Sequence, residues 1–103
     1  DNIMIGEEAS LLQSENITNS RLLLFPNPAK GSTTIALDNL ADKNIDVTLI
    51  NILGAQVSEV FSGRVVGKYQ EISLNLNDFE KGIYFIKVIT NGDIIMTDKL
   101  IIE

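Results

Sequence analysis

From Arg21 onward the chain is a succession of short runs of branched and aromatic residues, each closed by Gly, Pro, Asn or Asp at a spacing of roughly 8 to 12 residues. This punctuation constrains the fold more than any other feature. A backbone that turns so often has room neither for a helix of ordinary length nor for the long crossover that joins parallel strands. What remains is a set of antiparallel strands connected by tight turns.

The runs can be placed one by one. Leu22 to Phe25 reads as a first strand, ended by Pro26-Asn27-Pro28, because proline supplies no ladder donor and pushes its predecessor out of helical geometry. Ser32 to Leu37 alternates around Ile35 and Leu37. Ile45 to Leu53 is apolar on both faces, as a central strand is, and Gly54 supplies the positive φ at which it turns. Gln56 to Phe61 leads into a loop containing Gly63 and Gly67. Tyr69 to Leu76 alternates through Ile72, Leu74 and Leu76, with Glu71, Ser73 and Asn75 facing out. Ile83 to Thr90 and Asp93 to Ile102 flank Asn91-Gly92, the favoured dipeptide of a type I′ hairpin. About seven strands in this pattern define an all-β fold, an immunoglobulin-like antiparallel β-sandwich. Tyr84 follows a glycine-closed loop at the start of a strand, the position of a tyrosine corner, in which a buried ring adds apolar area and its hydroxyl bonds to loop backbone upstream.

Residues 1–20 differ in kind. They mix Ser, Asn, Glu and a few aliphatics with no sustained period of 2 or 3.6, and read as a linker ahead of a domain over residues 21–103. A short helix over Glu7 to Gln13 is compatible with them, as is packing along the domain edge through Ile3, Ile5, Leu11 and Leu12. The segment has neither the basic n-region nor the apolar h-region of a secretory signal peptide. An exported form would therefore carry its signal upstream, with this sequence as the C-terminal piece of a longer protein.

Composition removes whole classes of function. The chain has no Cys and no His, which excludes thiolate and imidazole nucleophiles and the usual zinc and copper ligands. Fourteen acidic against eight basic side chains give a net charge of −6, and no Lys/Arg cluster provides the stripe that nucleic-acid binding needs. No apolar run approaches the roughly 18 residues of a membrane helix, so membrane insertion is not expected. The acidic pairs Asp78/Glu80, Asp38/Asp42 and Asp93/Asp98 lie in or beside expected turns, where such residues cap the backbone. They are read as turn residues rather than as a catalytic carboxylate pair, and the chain is read as non-enzymatic. Asn75, Asn77, Asp78 and Glu80 lack the glycine-punctuated spacing of a calcium loop; no metal or cofactor is expected. A sugar-binding or passive spacer module is the competing reading. It is weakened by the absence of Trp, the stacking residue of choice, and by strand or loop-anchor positions for Phe25, Phe61, Phe79 and Phe85 that suit core packing.

Four motifs carry a resemblance. Phe25-Pro26-Asn27-Pro28-Ala29, Val47 to Gly54 with its Leu-Gly ending, Gly82-Ile83-Tyr84 opening a strand, and Lys99-Leu100-Ile101-Ile102 at the chain end follow one another in the order and spacing of a known family. The segment from Leu24 to Glu103 resembles the type A C-terminal sorting domain of the type IX (Por) secretion system of Bacteroidetes. It departs from that pattern at Ala55 and Glu103, where the family commonly has basic residues. The resemblance implies recognition without catalysis: a signal that crosses the periplasm behind an upstream cargo domain, engages the outer-membrane translocon, and is cut off by a sortase-like peptidase, leaving the cargo secreted or on the cell surface. It also implies that Phe25, Pro26, Asn27, Pro28, Gly54, Gly82, Tyr84, Lys99, Leu100, Ile101 and Ile102 are the recognition or motif residues.

Overall fold

The computed structural model describes residues 20–103. Seven strands follow one another: β1 (Arg21–Phe25), β2 (Ser32–Asp38), β3 (Asn44–Asn51), β4 (Gln56–Arg64), β5 (Tyr69–Asn75), β6 (Gly82–Thr90) and β7 (Asp93–Ile102). They form two antiparallel sheets, one ordered β1-β2-β5 and the other β4-β3-β6-β7. Three connections are hairpins within a sheet; β2–β3, β4–β5 and β5–β6 cross between sheets and close the sandwich.

The core lies between the sheets because alternate residues of each strand point inward. Ile35 and Leu37 of β2 face Val47 and Leu49 of β3, Ile86 and Val88 of β6, and Leu100 and Ile102 of β7, all fully or almost fully buried. Loop residues complete it, among them Ala29 between β1 and β2. Leu40, Val65 and Leu76 are buried just beyond strand ends and anchor the three inter-sheet connections. Burying an aliphatic side chain of this size contributes about 1.5–3 kcal/mol, so each crossing is held by its own apolar contact.

Three expectations from the sequence need correction. The central strand ends at Asn51, two residues before Leu53, and leaves Ile52 and Leu53 exposed. The cause is local: the Asn51 side-chain oxygen accepts hydrogen bonds from the N–H groups of Leu53 and Ala55, both at 3.0 Å, and curls the chain into its turn early. Conversely β4 runs past Phe61 through Gly63 to Arg64, because its ladder with β3 continues to Asn44. The third concerns Phe25, expected in the core but 44% exposed: β1 alternates Leu22 and Leu24 inward, which turns Leu23 and Phe25 to the outer face. The linker expected over residues 1–20, with its optional helix and edge-packing residues, falls outside the described residues save for Ser20.

Candidate functional site

The Pro26-Asn27-Pro28 segment emerges from β1 and crosses to the outer edge of β7. Both peptide bonds preceding the prolines are cis. Between them Asn27 stands in for a strand residue. Its side-chain N–H donates to the Lys99 carbonyl at 2.7 Å, and its side-chain oxygen accepts the Ile101 N–H at 3.0 Å. The next contacts are main-chain: Ala29 N–H donates to the Ile101 carbonyl and Glu103 N–H donates to the Ala29 carbonyl, each at 2.8 Å. Ala29 is buried and forms a parallel bridge with Ile102. The Pro26 carbonyl accepts from the Thr33 hydroxyl at 2.9 Å, which holds the segment to β2 as well. Residues more than seventy positions apart are thus clipped together by one amide and two backbone bonds.

Strand register brings the other motifs to the same place. Asn51 pairs with Tyr84, Tyr84 with Leu100, and Gly82 with Ile102. The end of β3 with its Gly54 turn, the start of β6 and the end of β7 therefore lie side by side, with the Phe25–Ala29 segment across them. Tyr84 makes the corner expected of it: its hydroxyl donates to the Glu80 carbonyl at 2.8 Å, and its ring packs obliquely on Phe79 with centroids 6.4 Å apart. The ring is half-buried rather than fully buried, lying over the edge of the core. Within this end Leu100 and Ile102 are core residues, whereas Phe25, Pro26, Asn27, Pro28, Gly54 and Lys99 are exposed and Ile101 is half-buried. The surface is therefore apolar and amide-rich, and it includes the exposed side chains of Ile52, Leu53 and Ile83.

The chain enters at the opposite end. Arg21 pairs with Asp38, Ser20 donates its hydroxyl to the Asn39 carbonyl, and the Asn91-Gly92 turn lies at that same end. The acidic pairs are spread over the molecule. Asp42 bonds Arg64 at 3.0 Å, Asp38 lies 4.0 Å from Arg21, and Asp98 accepts the Lys99 N–H. Tyr69 lies on the outer face of the smaller sheet and donates its hydroxyl to Glu71; that bond, with the nearby carboxylates of Glu71 and Asp38, pushes its pKa up.

The roles of Asn27 as a strand substitute and of Asn51 as a turn brace were not read from the sequence. Each has a signal there. An asparagine between two prolines is the sole residue of its segment with a free donor, and an asparagine three residues before a glycine commonly folds back on the chain.

These features define a small β-sandwich whose distinctive residues are spent on locking and shaping one end. The chain belongs to the secretion system C-terminal sorting domain family, whose pattern matches residues 23–103. It is a sorting signal of the type IX secretion system. It is also 31% identical over 83 residues to the ulvan lyase NLR42 of Nonlabens ulvanivorans; the match covers 78% of this chain and 14% of that protein. In fold it is similar to part of the Pseudomonas fluorescens alkylpurine DNA glycosylase AlkC bound to DNA containing an abasic site analog. That similarity has a TM-score of 0.51 and 16% identity, over 81% of this chain and 29% of the glycosylase, and is one of fold alone.

Proposed function

We propose that this domain is the address of a longer exported precursor, engaged through its motif end by the outer-membrane type IX translocon and then removed by a sortase-like peptidase. The observation that carries the reading is the convergence of four separated motifs on one end of the sandwich, opposite the point where the chain enters. A cargo joined upstream of Arg21 would leave that end unobstructed. A signal matching only 14% of a lyase fits a small label on a large passenger.

Recognition of this kind needs no bond chemistry from the domain. It needs a surface whose shape is fixed before the partner arrives, since ordering side chains at the moment of binding costs affinity. Here Asn27, Asn51 and Tyr84 supply that fixation. The pairing of the strands supports a peptidase cut ahead of the sandwich. A protease requires several residues of unpaired extended backbone, which paired strands present only on local unfolding. The cut therefore belongs before Leu22.

Fusing residues 1–103 to a reporter in a host with the type IX system tests the reading. The reporter is expected outside the outer membrane. Retention in the periplasm of a fusion that is stable and folded would overturn it.

A further inference from the structure

A sandwich of two open sheets has four edge strands, and each offers unpaired N–H and C=O groups unless something closes it. Three are closed or broken here. β7 is occupied by Asn27 and Ala29 between Lys99 and Glu103, and its register slips at Val88/Ile89. β4 carries two register shifts, between Val47 and Thr48 and between Leu49 and Ile50 of its partner strand. Such bulges twist an edge away from a straight partner. β1 is five residues long and runs directly into the clamp on β7.

Among the described residues β5 is the exception, with nothing laid against its outer edge. It is seven residues long and pairs with β2 in unbroken register. The bonds at its two ends, from Leu76 N–H to the Gly31 carbonyl and from Asn39 N–H to the Lys68 carbonyl, show that the even-numbered residues face β2. By the alternation of an antiparallel ladder, Tyr69, Glu71, Ser73 and Asn75 aim their backbone groups at the open side. No proline or lysine stands within the strand to blunt it.

We propose that this open edge of β5 accepts an added strand from a component of the export machinery, an extended segment in which apolar and basic residues alternate. The proposal rests on the sorting reading and extends it from the motif end to a second contact. The partner's chemistry follows from the two faces of β5. Added side chains on the inner face would lie beside Ile72, which is half-buried, and beside Leu74; apolar residues extend the core there. On the outer face they would lie beside Glu71, which has no cationic partner among the described residues. A second copy of this chain fits the edge poorly, since each copy carries a net charge of −6 and would bring another Glu71.

Amide hydrogen exchange on the full 103-residue chain tests the edge directly. Glu71 and Ser73 are expected to exchange quickly and Ile72 and Leu74 slowly. An eight-residue synthetic peptide alternating valine and lysine should slow Glu71 and Ser73, and one alternating valine and glutamate should not. With Glu71→Lys the preference should reverse. Protection of Glu71 and Ser73 in the free chain, equal effects of both peptides, or protection that rises with protein concentration alone would overturn the proposal, the last by placing a second copy on the edge. In the reporter fusion, Ser73→Pro removes an outward N–H and leaves the β2 ladder intact. If its urea midpoint matches the parent's, export should fall about 2- to 10-fold, the loss of one hydrogen bond at the contact. Parent and folded variant exported equally would overturn the proposal while the sorting reading stands. A parent that is not exported would sink the sorting reading, and the peptide experiment would then decide this one.

Discussion

Replacing Asn27 by alanine isolates the clamp from the rest of the sandwich. The substitution removes the bond to the Lys99 carbonyl at 2.7 Å and the bond from the Ile101 N–H at 3.0 Å, and touches no core residue. Each bond contributes about 0.5–1.5 kcal/mol. Asn27 is exposed, so the released carbonyl and N–H regain water and no desolvation penalty is added. The expected total is about 1–3 kcal/mol, with the Ala29 bonds still in place. With a urea slope of about 2 kcal/mol/M for a small domain, the midpoint should fall by roughly 0.5–1.5 M at unchanged slope. The loss should be local in origin: exchange of the Ile101 amide should quicken about tenfold, while core amides such as Ile86 follow only the global change. Asn27→Asp retains an acceptor for Ile101 but turns a carboxylate toward the Lys99 carbonyl, and should not recover the parent's stability. If Asn27→Ala melts with the parent and Ile101 exchanges at its original rate, Ala29 alone holds the edge and the amide is not a strand substitute.

Three further outcomes are expected. Tyr84→Phe should lose about 0.5–1.5 kcal/mol, the worth of one hydrogen bond, and Tyr84→Ala about 2–3 kcal/mol, below the 3–5 of a fully buried aromatic because this ring is half-buried; equal losses in urea melts would show that the corner bond carries the effect. Tyr69 should ionise above its ordinary 10.0, first because its hydroxyl is bonded to Glu71. A raised pKa in the folded state means that this stabilisation is complete below the unfolded value and is lost as pH rises through the folded one. Glu71→Gln should bring the tyrosinate absorbance titration of Tyr69 back toward that value, and an unchanged midpoint would refute the assignment. In the reporter fusion, mass spectrometry of the mature cargo should place the cut before Leu22, and a cut between Arg21 and Glu103 would refute the placement. Deleting Leu100–Glu103 should block export, but it also removes the core side chains Leu100 and Ile102; at about 2–5 kcal/mol for each large truncation against a total stability of about 5–15, that variant unfolds, and Asn27→Ala is the cleaner probe of the motif end.

The strand class, most of the turns and the corner tyrosine are legible in the order of residues alone. Alternation along Tyr69–Asn75, the positive φ of Asn91 and Gly92, and the reach of Tyr84 to a carbonyl four residues upstream depend on atoms within a few positions of one another. Such geometry follows from local sterics and local hydrogen bonding, which the order of residues specifies directly. The motifs were legible as separate pieces for the same reason. That they form one surface was not: the partners of Asn27 lie 72 and 74 residues away, and nothing near Asn27 in the chain indicates which edge its amide will meet. The same holds for Phe25, whose apolarity predicts burial until β1 is placed with Leu22 and Leu24 inward. It holds again for β5, whose pattern is that of any half-buried strand; only the order β1-β2-β5 leaves it at an edge, and only the Asn27 clamp and the slips on β4 close the others. Which side chains face water is a property of neighbours contributed by distant strands, and the tertiary structure alone supplies them.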